Sequence, residues 1–282
     1  MNRLLLHFGD LTYDCSSRTH VMGILNVTPD SFSDGGRYFD PDRAVARGVE
    51  LAADGADFLD IGGESTRPGS DPLPEDEEIR RVVPVIRRLV EYVGIPISID
   101  TYKACVAEAA LNAGACIVND ISGLGFDPAM IGTVVRNKAT VVLMHMLGTP
   151  KSMQQNPTYL NVVSEVRDYL AAQAARATSG GVGQIIVDPG IGFGKNLEHN
   201  LDLMRNLRSS SPAGFPILVG PSRKSFIGKI LNLKVEERLE GTAAAVAACI
   251  LRGAHIIRVH DVKEMKRVAL VADALKDREP FA

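Results

Sequence analysis

The sequence lacks the features that mark several large classes of protein. No apolar run is long enough to cross a bilayer, and "RLLL" at 3–6 is too short for the core of a signal peptide. The formal net charge is only −3, and no block of like charges occurs, which argues against a nucleic-acid-binding surface. We therefore expect a cytoplasmic protein that binds neither membranes nor nucleic acids.

The four cysteines lack the spacing of a metal or redox site. Cys15, Cys105, Cys116 and Cys249 form no C-x-x-C pair, and no histidine accompanies them at zinc spacing. We expect them to be reduced thiols. The H-E-x-x-H motif of zinc proteases and the G-x-S-x-G motif of α/β hydrolases are also absent from the sequence.

A unit of helix, tight turn and buried strand recurs along the chain. Three copies read "AADGADFLDIG" (52–62), "LNAGACIVND" (111–120) and "LRGAHIIRVHD" (251–261). In each copy a glycine ends an Ala-rich helix, where left-handed backbone is favoured, and an apolar run follows. Such a run is typical of a parallel strand that is covered on both faces. The glycines are Gly55, Gly114 and Gly253.

The number of such runs predicts the fold. We expect strands at 21–25, 58–62, 97–100, 116–120, 140–145, 185–188, 216–220 and 255–259, with helix-compatible segments between them. Eight strands alternating with helices in 282 residues predict a single-domain α/β protein, a (β/α)8 TIM barrel, with a doubly wound sheet as the alternative. Residues 1–20 are expected to form a hairpin or plug at the barrel bottom, and residues 21–282 the barrel itself.

The predicted strands end on polar side chains that can bind or react. In a (β/α)8 barrel the active site lies at the carboxyl ends of the strands. Any single side chain there could be structural, for example as a helix cap. Their convergence on one rim nevertheless predicts a site. Its candidates are the segment 62–70 with Asn26, Asp100, Asn119, Asp120, His145, Asp188, Lys224, Arg258 and His260.

Part of this rim suits a flat heterocycle. Asp100 and Asp188 are acceptors, Asn119 both donates and accepts, and Lys224 donates and carries charge. A carboxylate can accept from an amino group and a neighbouring ring N–H together, and an ammonium suits a keto oxygen. The set predicts a pterin-like or guanine-like ligand. The alternative is an ion pair of the two aspartates with Lys224 inside the barrel.

A second group suits an anion. Arg67, Arg258 and His260, with Thr66 beside them, match phosphate oxygens. Arg258 and His260 are two residues apart and are expected to face the same side of a strand. Asn26 is a neutral oxygen ligand that could hold a Mg²⁺ ion bridging substrate phosphates.

The glycine-rich segment "DPGIGFGKN" (188–196) resembles a phosphate loop but does not fit one. Its first glycine is displaced by one place, and Asn196 stands where Ser or Thr is required. We expect its glycines instead to let the backbone and the Phe193 ring approach a ligand closely.

Five motifs, in this order and spacing, resemble the dihydropteroate synthase family: "MGILNVTPDSFSDGG", "DIGGESTRPG", "DPGIGFGKN", "GPSRKSFIG" and "GAHIIRVHDV". The resemblance covers residues 20–270. It implies a homodimeric (β/α)8 barrel that condenses hydroxymethyl-dihydropterin pyrophosphate with p-aminobenzoate. The products would be dihydropteroate, a folate precursor, and pyrophosphate. The family is the target of sulfonamides.

The resemblance also implies roles for individual residues. The pterin would be held by Asp100, Asn119, Met144, Asp188 and Lys224. Pyrophosphate would be bound by Asn26, Thr66, Arg258 and His260, with Asn26 also contacting Mg²⁺. The aminobenzoate would be bordered by Phe32, Thr66, Arg67, Pro68, Phe193 and Ser225. The catalytic group would comprise Asp30, Asp34, Lys224, Arg258 and His260.

The polar segment "NVTPDSFSDGG" (26–36) is interpreted as a mobile lid. Phe32 would exclude water, and Asp30 or Asp34 would stabilise the cation left on the pterin methylene after pyrophosphate departs. The aromatic amine would then attack, with no covalent enzyme intermediate.

Three other functions fit parts of the sequence. One is the pterin-binding domain of corrinoid methyltransferases, although "SRKS" and "RVHD" favour a ligand with a pyrophosphate. Another is a Schiff-base aldolase, for which Lys224 would need a lowered pKa, whereas we expect neighbouring carboxylates to raise it. The third is a catalytically silent pterin carrier.

Overall fold

A parallel barrel dominates the computed structural model, which describes residues 3–28, 40–65 and 69–276. An antiparallel hairpin of β1 (Leu5–Phe8) and β2 (Leu11–Asp14) precedes it. The barrel strands are β3 (His20–Asn26), β4 (Phe58–Gly62), β5 (Ile97–Asp100), β6 (Ile117–Asp120), β7 (Thr140–Met144), β8 (Gln184–Asp188), β9 (Leu218–Val219) and β10 (Ile256–Val259).

The strand order confirms the predicted (β/α)8 fold. Neighbours run β8-β7-β6-β5-β4-β3-β10-β9, and all of these pairs are parallel. A parallel bridge between Val187 and Ile217 joins the two ends of this order. The backbone N–H of Val187 also donates to the carbonyl of Pro216 at 3.0 Å, which closes the barrel.

Helices alternate with the strands around the outside. They are α1 (Pro41–Ala53), α2 (Glu75–Tyr92), α3 (Ala104–Asn112), α4 (Met130–Arg136), α5 (Val162–Ser179), α6 (Leu197–Arg205), α7 (Ser225–Leu231), α8 (Leu239–Leu251) and α9 (Val262–Leu275). Within the described ranges, no helix combines the length and apolarity needed to cross a membrane.

The strand bounds agree closely with the apolar runs, and β9 is the exception. The predictions 58–62 and 97–100 match β4 and β5 residue for residue. The run 216–220 is reduced to two residues, because Pro216 has no N–H for a ladder bond and Gly220 leads directly into Pro221.

The three predicted helix-ending glycines are confirmed. Gly55, Gly114 and Gly253 have φ of +102°, +113° and +102°, in the left-handed region. At Gly114 a Cβ atom would lie only 2.6 Å from Cγ2 of Val90 on α2. The glycine therefore provides both the backbone conformation and the close packing of the turn.

The barrel interior is apolar at the bottom and polar at the mouth. Leu6 of the hairpin packs in one buried cluster with Met22, Phe58, Ile117 and Ile256, which lie near the starts of their strands. Closer to the mouth, the buried or partly buried interior positions carry Asp60, Ser98, Asp100, Asn119, Asp188 and Arg258. Of these, Asp100 and Asp188 end their strands, whereas Asp60 and Arg258 lie inside β4 and β10.

Candidate functional site

An inner pocket at the barrel mouth brings together most of the residues predicted to hold a heterocycle. It is lined by Asp100, Asn119, Ile121, Met144, Asp188, Ile191, Phe193, Gly220, Lys224 and Arg258. These side chains come from the ends of six strands, β5 to β10, and the loops that follow them. The pocket is thus built by strand ends, as the fold predicts.

Arg258 is held inside this pocket by two carboxylates. Its Nε donates to Oδ2 of Asp60 at 2.5 Å, and its Nη2 donates to Oδ2 of Asp100 at 2.7 Å. Asn119 Nδ2 donates to the same Asp60 oxygen at 2.9 Å. The partner of Asp100 is therefore Arg258, and not Lys224 as the ion-pair alternative required.

Burial raises the pKa values of the two pocket aspartates, Asp100 and Asp188. Burial raises the pKa of Asp188 to about 6, although the Gly190 N–H donates to its Oδ1 at 2.7 Å. Burial also raises the pKa of Asp100 to about 7, against the attraction of Arg258. Among the described residues, Oδ1 of Asp100 has no hydrogen-bond partner, so it can accept a ligand donor.

Lys224 is the donor that faces these acceptors. Its ammonium lies 4.0 Å from the centroid of the Phe193 ring, a cation–π contact. Burial, followed by the charge of Arg258, lowers its pKa to about 8. The neighbouring carboxylates of Asp188 and Asp100 do raise this pKa, as expected, but burial and Arg258 together outweigh them.

A second, more open pocket of about 710 Å³ lies beside the first, between β3, α1 and the end of β10. It is lined by Ile24, Leu25, Asn26, Arg43, Ala46, Arg47, Glu50, Arg223, His260 and Asp261. His260 Nδ1 lies 2.9 Å from Oγ of Ser222. Burial and the charge of Arg258 lower the pKa of His260 to about 4, so its ring is neutral at pH 7.

The predicted anion-binding residues are divided between the two pockets. Arg258 lines the inner pocket, whereas Asn26 and His260 line the outer one. Strand β10 ends at Val259, so His260 lies beyond the strand and the two-residue alternation does not extend to it. The expectation that Arg258 and His260 face the same side therefore stays a prediction.

Known proteins match this chain over nearly its whole length. Residues 22–260 match the family model described as "Pterin binding enzyme". The dihydropteroate synthase of Synechocystis is 48% identical over 273 residues, which cover 96% of this chain and 94% of that protein. This chain belongs to the dihydropteroate synthase family.

Solved structures of the family agree with the fold described above. The Xanthomonas albilineans dihydropteroate synthase with 4-aminobenzoic acid has a TM-score of 0.91 and 41% identity, covering 99% of this chain and 100% of that one. The Clostridium difficile enzyme, solved in the presence of pteroic acid, has a TM-score of 0.88 and 44% identity, covering 95% and 100%. As a member of this family, the chain is a transferase of the pterin group.

Several residues that the family resemblance singled out lie outside the described part of the chain. They are Asp30, Phe32, Asp34, Thr66, Arg67 and Pro68, together with most of the proposed lid. Their roles stay predictions. Ser225 is described: it is the exposed first residue of α7 and is not among the lining residues of either pocket.

The glycine-rich segment 188–196 serves mainly to pack protein against protein. A Cβ atom on Gly190 (φ +71°) would lie 1.9 Å from the carbonyl oxygen of His145, and one on Gly194 would lie 2.6 Å from that of Leu147. The buried ammonium of Lys195 donates to the carbonyls of Phe193 at 2.8 Å and His145 at 3.2 Å. The segment is therefore fastened to the end of β7, while its residues Ile191 and Phe193 line the inner pocket.

Around the inner pocket, sequence reasoning missed two charged residues, Asp60 and Lys195. Asp60 interrupts the apolar run "FLDIG", and an unpaired carboxylate in a buried strand is unfavourable, which was an available signal. Lys195 gave no comparable signal, because a lysine in a polar loop is ordinarily exposed.

Proposed function

We propose that the chain condenses hydroxymethyl-dihydropterin pyrophosphate with p-aminobenzoate, giving dihydropteroate and pyrophosphate for folate biosynthesis. The inner pocket is the observation that carries this proposal, because it sets the acceptors Asp100, Asn119 and Asp188 around the donor Lys224. The Xanthomonas albilineans and Clostridium difficile relatives, solved with 4-aminobenzoic acid and pteroic acid, support both halves of the reaction.

In this proposal the pterin lies in the inner pocket. The carboxylates of Asp100 and Asp188 accept from its amino group and ring N–H groups, and the ammonium of Lys224 donates to its keto oxygen. Met144 lies on the pocket floor and is 3% exposed, so it offers an apolar surface to the ring. Phe193, which already contacts Lys224, borders the aminobenzoate together with Ser225.

The pyrophosphate lies where the two pockets adjoin, near Arg258, His260 and Asn26. The bond between the pterin methylene and the pyrophosphate oxygen breaks, and its electron pair leaves with pyrophosphate. Arg258 stabilises the growing negative charge, and the neutral ring of His260 donates a hydrogen bond. In their predicted roles, Asp30 or Asp34 stabilises the cation on the methylene and Thr66 contacts the pyrophosphate. The amine nitrogen of p-aminobenzoate then bonds to the methylene and gives up a proton to the departed pyrophosphate or to water.

Magnesium fits this arrangement as an ion that the substrate brings. Among the described residues, no group of three or more His, Cys, Asp or Glu side chains could form a protein cage for a metal. A Mg²⁺ ion that keeps most of its waters needs only one or two protein oxygens, and the half-buried Asn26 offers one. When bound, the ion would neutralise charge on the leaving pyrophosphate.

A homodimer in the cytoplasm completes the proposal. Exposed apolar side chains gather on the neighbouring helices α7, α8 and α9, and α8 and α9 pack against each other. They are Ile230, Leu231, Leu251, Leu270, Val271 and Leu275. Their burial against a second copy would remove apolar surface from water. Light scattering on the purified protein measures the mass that decides between monomer and dimer.

The test is pyrophosphate release by the purified protein. Dihydropterin pyrophosphate and Mg²⁺ are supplied with and without p-aminobenzoate, and dihydropteroate is measured in parallel. Equal amounts of both products, dependent on both substrates, would establish the activity. Binding of pteroic acid without release would contradict it, and would favour a methyl-transferring pterin domain or a silent carrier.

A further inference from the structure

Asp60 is a fully buried charged group beneath the inner pocket and lines neither pocket. It lies on β4 between Leu59 and Ile61, which pack in the outer core, so its side chain points into the barrel two positions above Phe58. Its exposed fraction is 0%, and it is not one of the residues that line the inner pocket. Any effect on the reaction must therefore pass through its neighbours.

Through Asn119, Asp60 decides which end of an amide faces the pocket. A carboxylate only accepts hydrogen bonds, so Asn119 presents its Nδ2 donor to Asp60, at 2.9 Å. The oxygen of the amide is the group that remains for the inner pocket, which Asn119 lines. An asparagine turned the other way would offer the pocket a donor, against the donors of a pterin amino group.

Asp60 also gives the guanidinium of Arg258 a carboxylate partner that does not line the inner pocket. Arg258 bonds to Asp60 through Nε and to Asp100 through Nη2. A ligand that takes the Asp100 carboxylate weakens one of these bonds, whereas the bond to Asp60 lies beyond the reach of a ligand. The guanidinium thus keeps a fixed anchor while the partner at its other end is exchanged.

We propose that Asp60 is a positioning residue of the pterin site, acting through Asn119 and Arg258. It turns the oxygen of Asn119 toward the ligand and fixes the guanidinium of Arg258 beside the leaving group. The proposal rests on the function proposed above, since it names a residue that makes pterin recognition possible without touching the pterin.

Double-mutant cycles test this role, with pteroic acid and inorganic pyrophosphate as calorimetric probes. Asp60→Asn keeps the side-chain shape and removes the charge, and we expect it to weaken pteroic acid binding about tenfold or more. If Asp60 acts through Asn119, the loss shrinks to about threefold or less in an Asn119→Ala background. Asp60→Asn is likewise expected to weaken pyrophosphate binding. If Asp60 acts through Arg258, this loss shrinks in the same way in an Arg258→Met background.

The matched control is Ser98→Ala. Ser98 pairs in register with Asp60 on the neighbouring strand, is fully buried, and its hydroxyl has no hydrogen-bond partner in the described structure. We expect this variant to bind both probes like the wild type. Coupling in either cycle supports the positioning role and identifies the neighbour that transmits it.

Four results would overturn the proposal. Additive losses in both cycles would show a general structural effect, and unchanged affinity in Asp60→Asn would show no effect on binding. If Asp60→Asn does not fold, the doubly neutral D60N/R258M is compared with R258M, and equal pteroic acid affinities would contradict the role through Asn119. A wild-type protein that binds no pteroic acid would instead overturn the proposed function itself, and the role of Asp60 with it.

Discussion

At the scale of single residues, the site depends on ionisable groups whose pKa values burial has moved close to neutrality. Asp100, Asp188 and Lys224 have pKa values of about 7, 6 and 8, close together and close to neutrality. Sequence reasoning found these three residues because they lie at or after strand ends. It missed Asp60, which lies inside a strand, because only the folded barrel shows that Arg258 and Asn119 reach it.

The carboxylate of Asp188 is predicted to carry much of the pterin affinity. Replacing it with alanine removes a charged acceptor from a buried pocket, so we expect pteroic acid to bind about 10- to 100-fold more weakly. Isothermal calorimetry measures the change. Asp120→Asn is the matched control, because Asp120 is also a buried carboxylate but its oxygens accept from Ser122 and Leu124. Unchanged affinity in Asp188→Ala would remove Asp188 from the pterin site.

Pterin affinity is also predicted to depend on pH with two limbs. Below the pKa of Asp100, about 7, and of Asp188, about 6, protonation removes acceptors and affinity falls. Above the pKa of Lys224, about 8, deprotonation removes a donor and affinity falls again. Calorimetry from about pH 5 to about pH 9 should therefore show a maximum between these values. In Lys224→Met the alkaline limb should vanish and the acid limb stay; retention of both limbs would show that Lys224 is not the titrating group.

At the scale of elements, the recurring helix, glycine and strand were predictable because local chemistry decides them. Only glycine takes the left-handed backbone at a helix end without strain, and the apolar run after it marks the strand. The length of β9 was less predictable, since Pro216 reads as part of an apolar run but cannot donate to a neighbouring strand. The fastening of the segment 188–196 to His145 depends on contacts between distant parts of the chain, which no local pattern shows.

The close packing at Gly114 is predicted to make it sensitive to substitution. Gly114→Ala forces both a strained φ and an overlap with Val90, so it should destabilise the fold by about 1–3 kcal/mol more than Gly214→Ala. Gly214 is the matched control because its φ of +91° is also left-handed, but a Cβ atom there would have nothing within 4 Å. Urea unfolding measures both variants, and equal losses would show that backbone strain alone is responsible.

At the scale of the whole molecule, the division into an apolar bottom and a polar mouth separates stability from binding. The sequence predicted the barrel from the count of its strands. It also predicted a short N-terminal element at the barrel bottom, where the described hairpin places Leu6. It could not predict that the two phosphate-binding candidates Arg258 and His260 would line different pockets, because that depends on where β10 ends.

Because the hairpin packs on the apolar bottom of the barrel, substitutions in it should change stability and leave ligand affinity unchanged. Leu6→Ala should lower the free energy of unfolding by about 2–5 kcal/mol, because it leaves a cavity in the bottom cluster. Leu5→Ala, one residue away and 39% exposed in the wild type, should change it by no more than about 0.5 kcal/mol. Thermal unfolding compares the two, and pteroic acid affinity should be the same in both. A loss of affinity in Leu6→Ala would show that the bottom and the mouth are coupled.

The join between β8 and β9 gives the ring of hydrogen bonds one weak point. Strands β3 and β4 share five paired positions, whereas β8 meets the β9 segment through the bridge of Val187 with Ile217. A cooperative structure opens first where fewest bonds hold it, so amide hydrogens at this join should exchange with solvent sooner than those of β3. Asp188 ends β8 on one side of the join, and Lys224 lies in the loop that follows β9 on the other. Local opening of the barrel at this join would thus increase the distance between the acceptor Asp188 and the donor Lys224. The strands on the opposite side of the barrel would keep their positions.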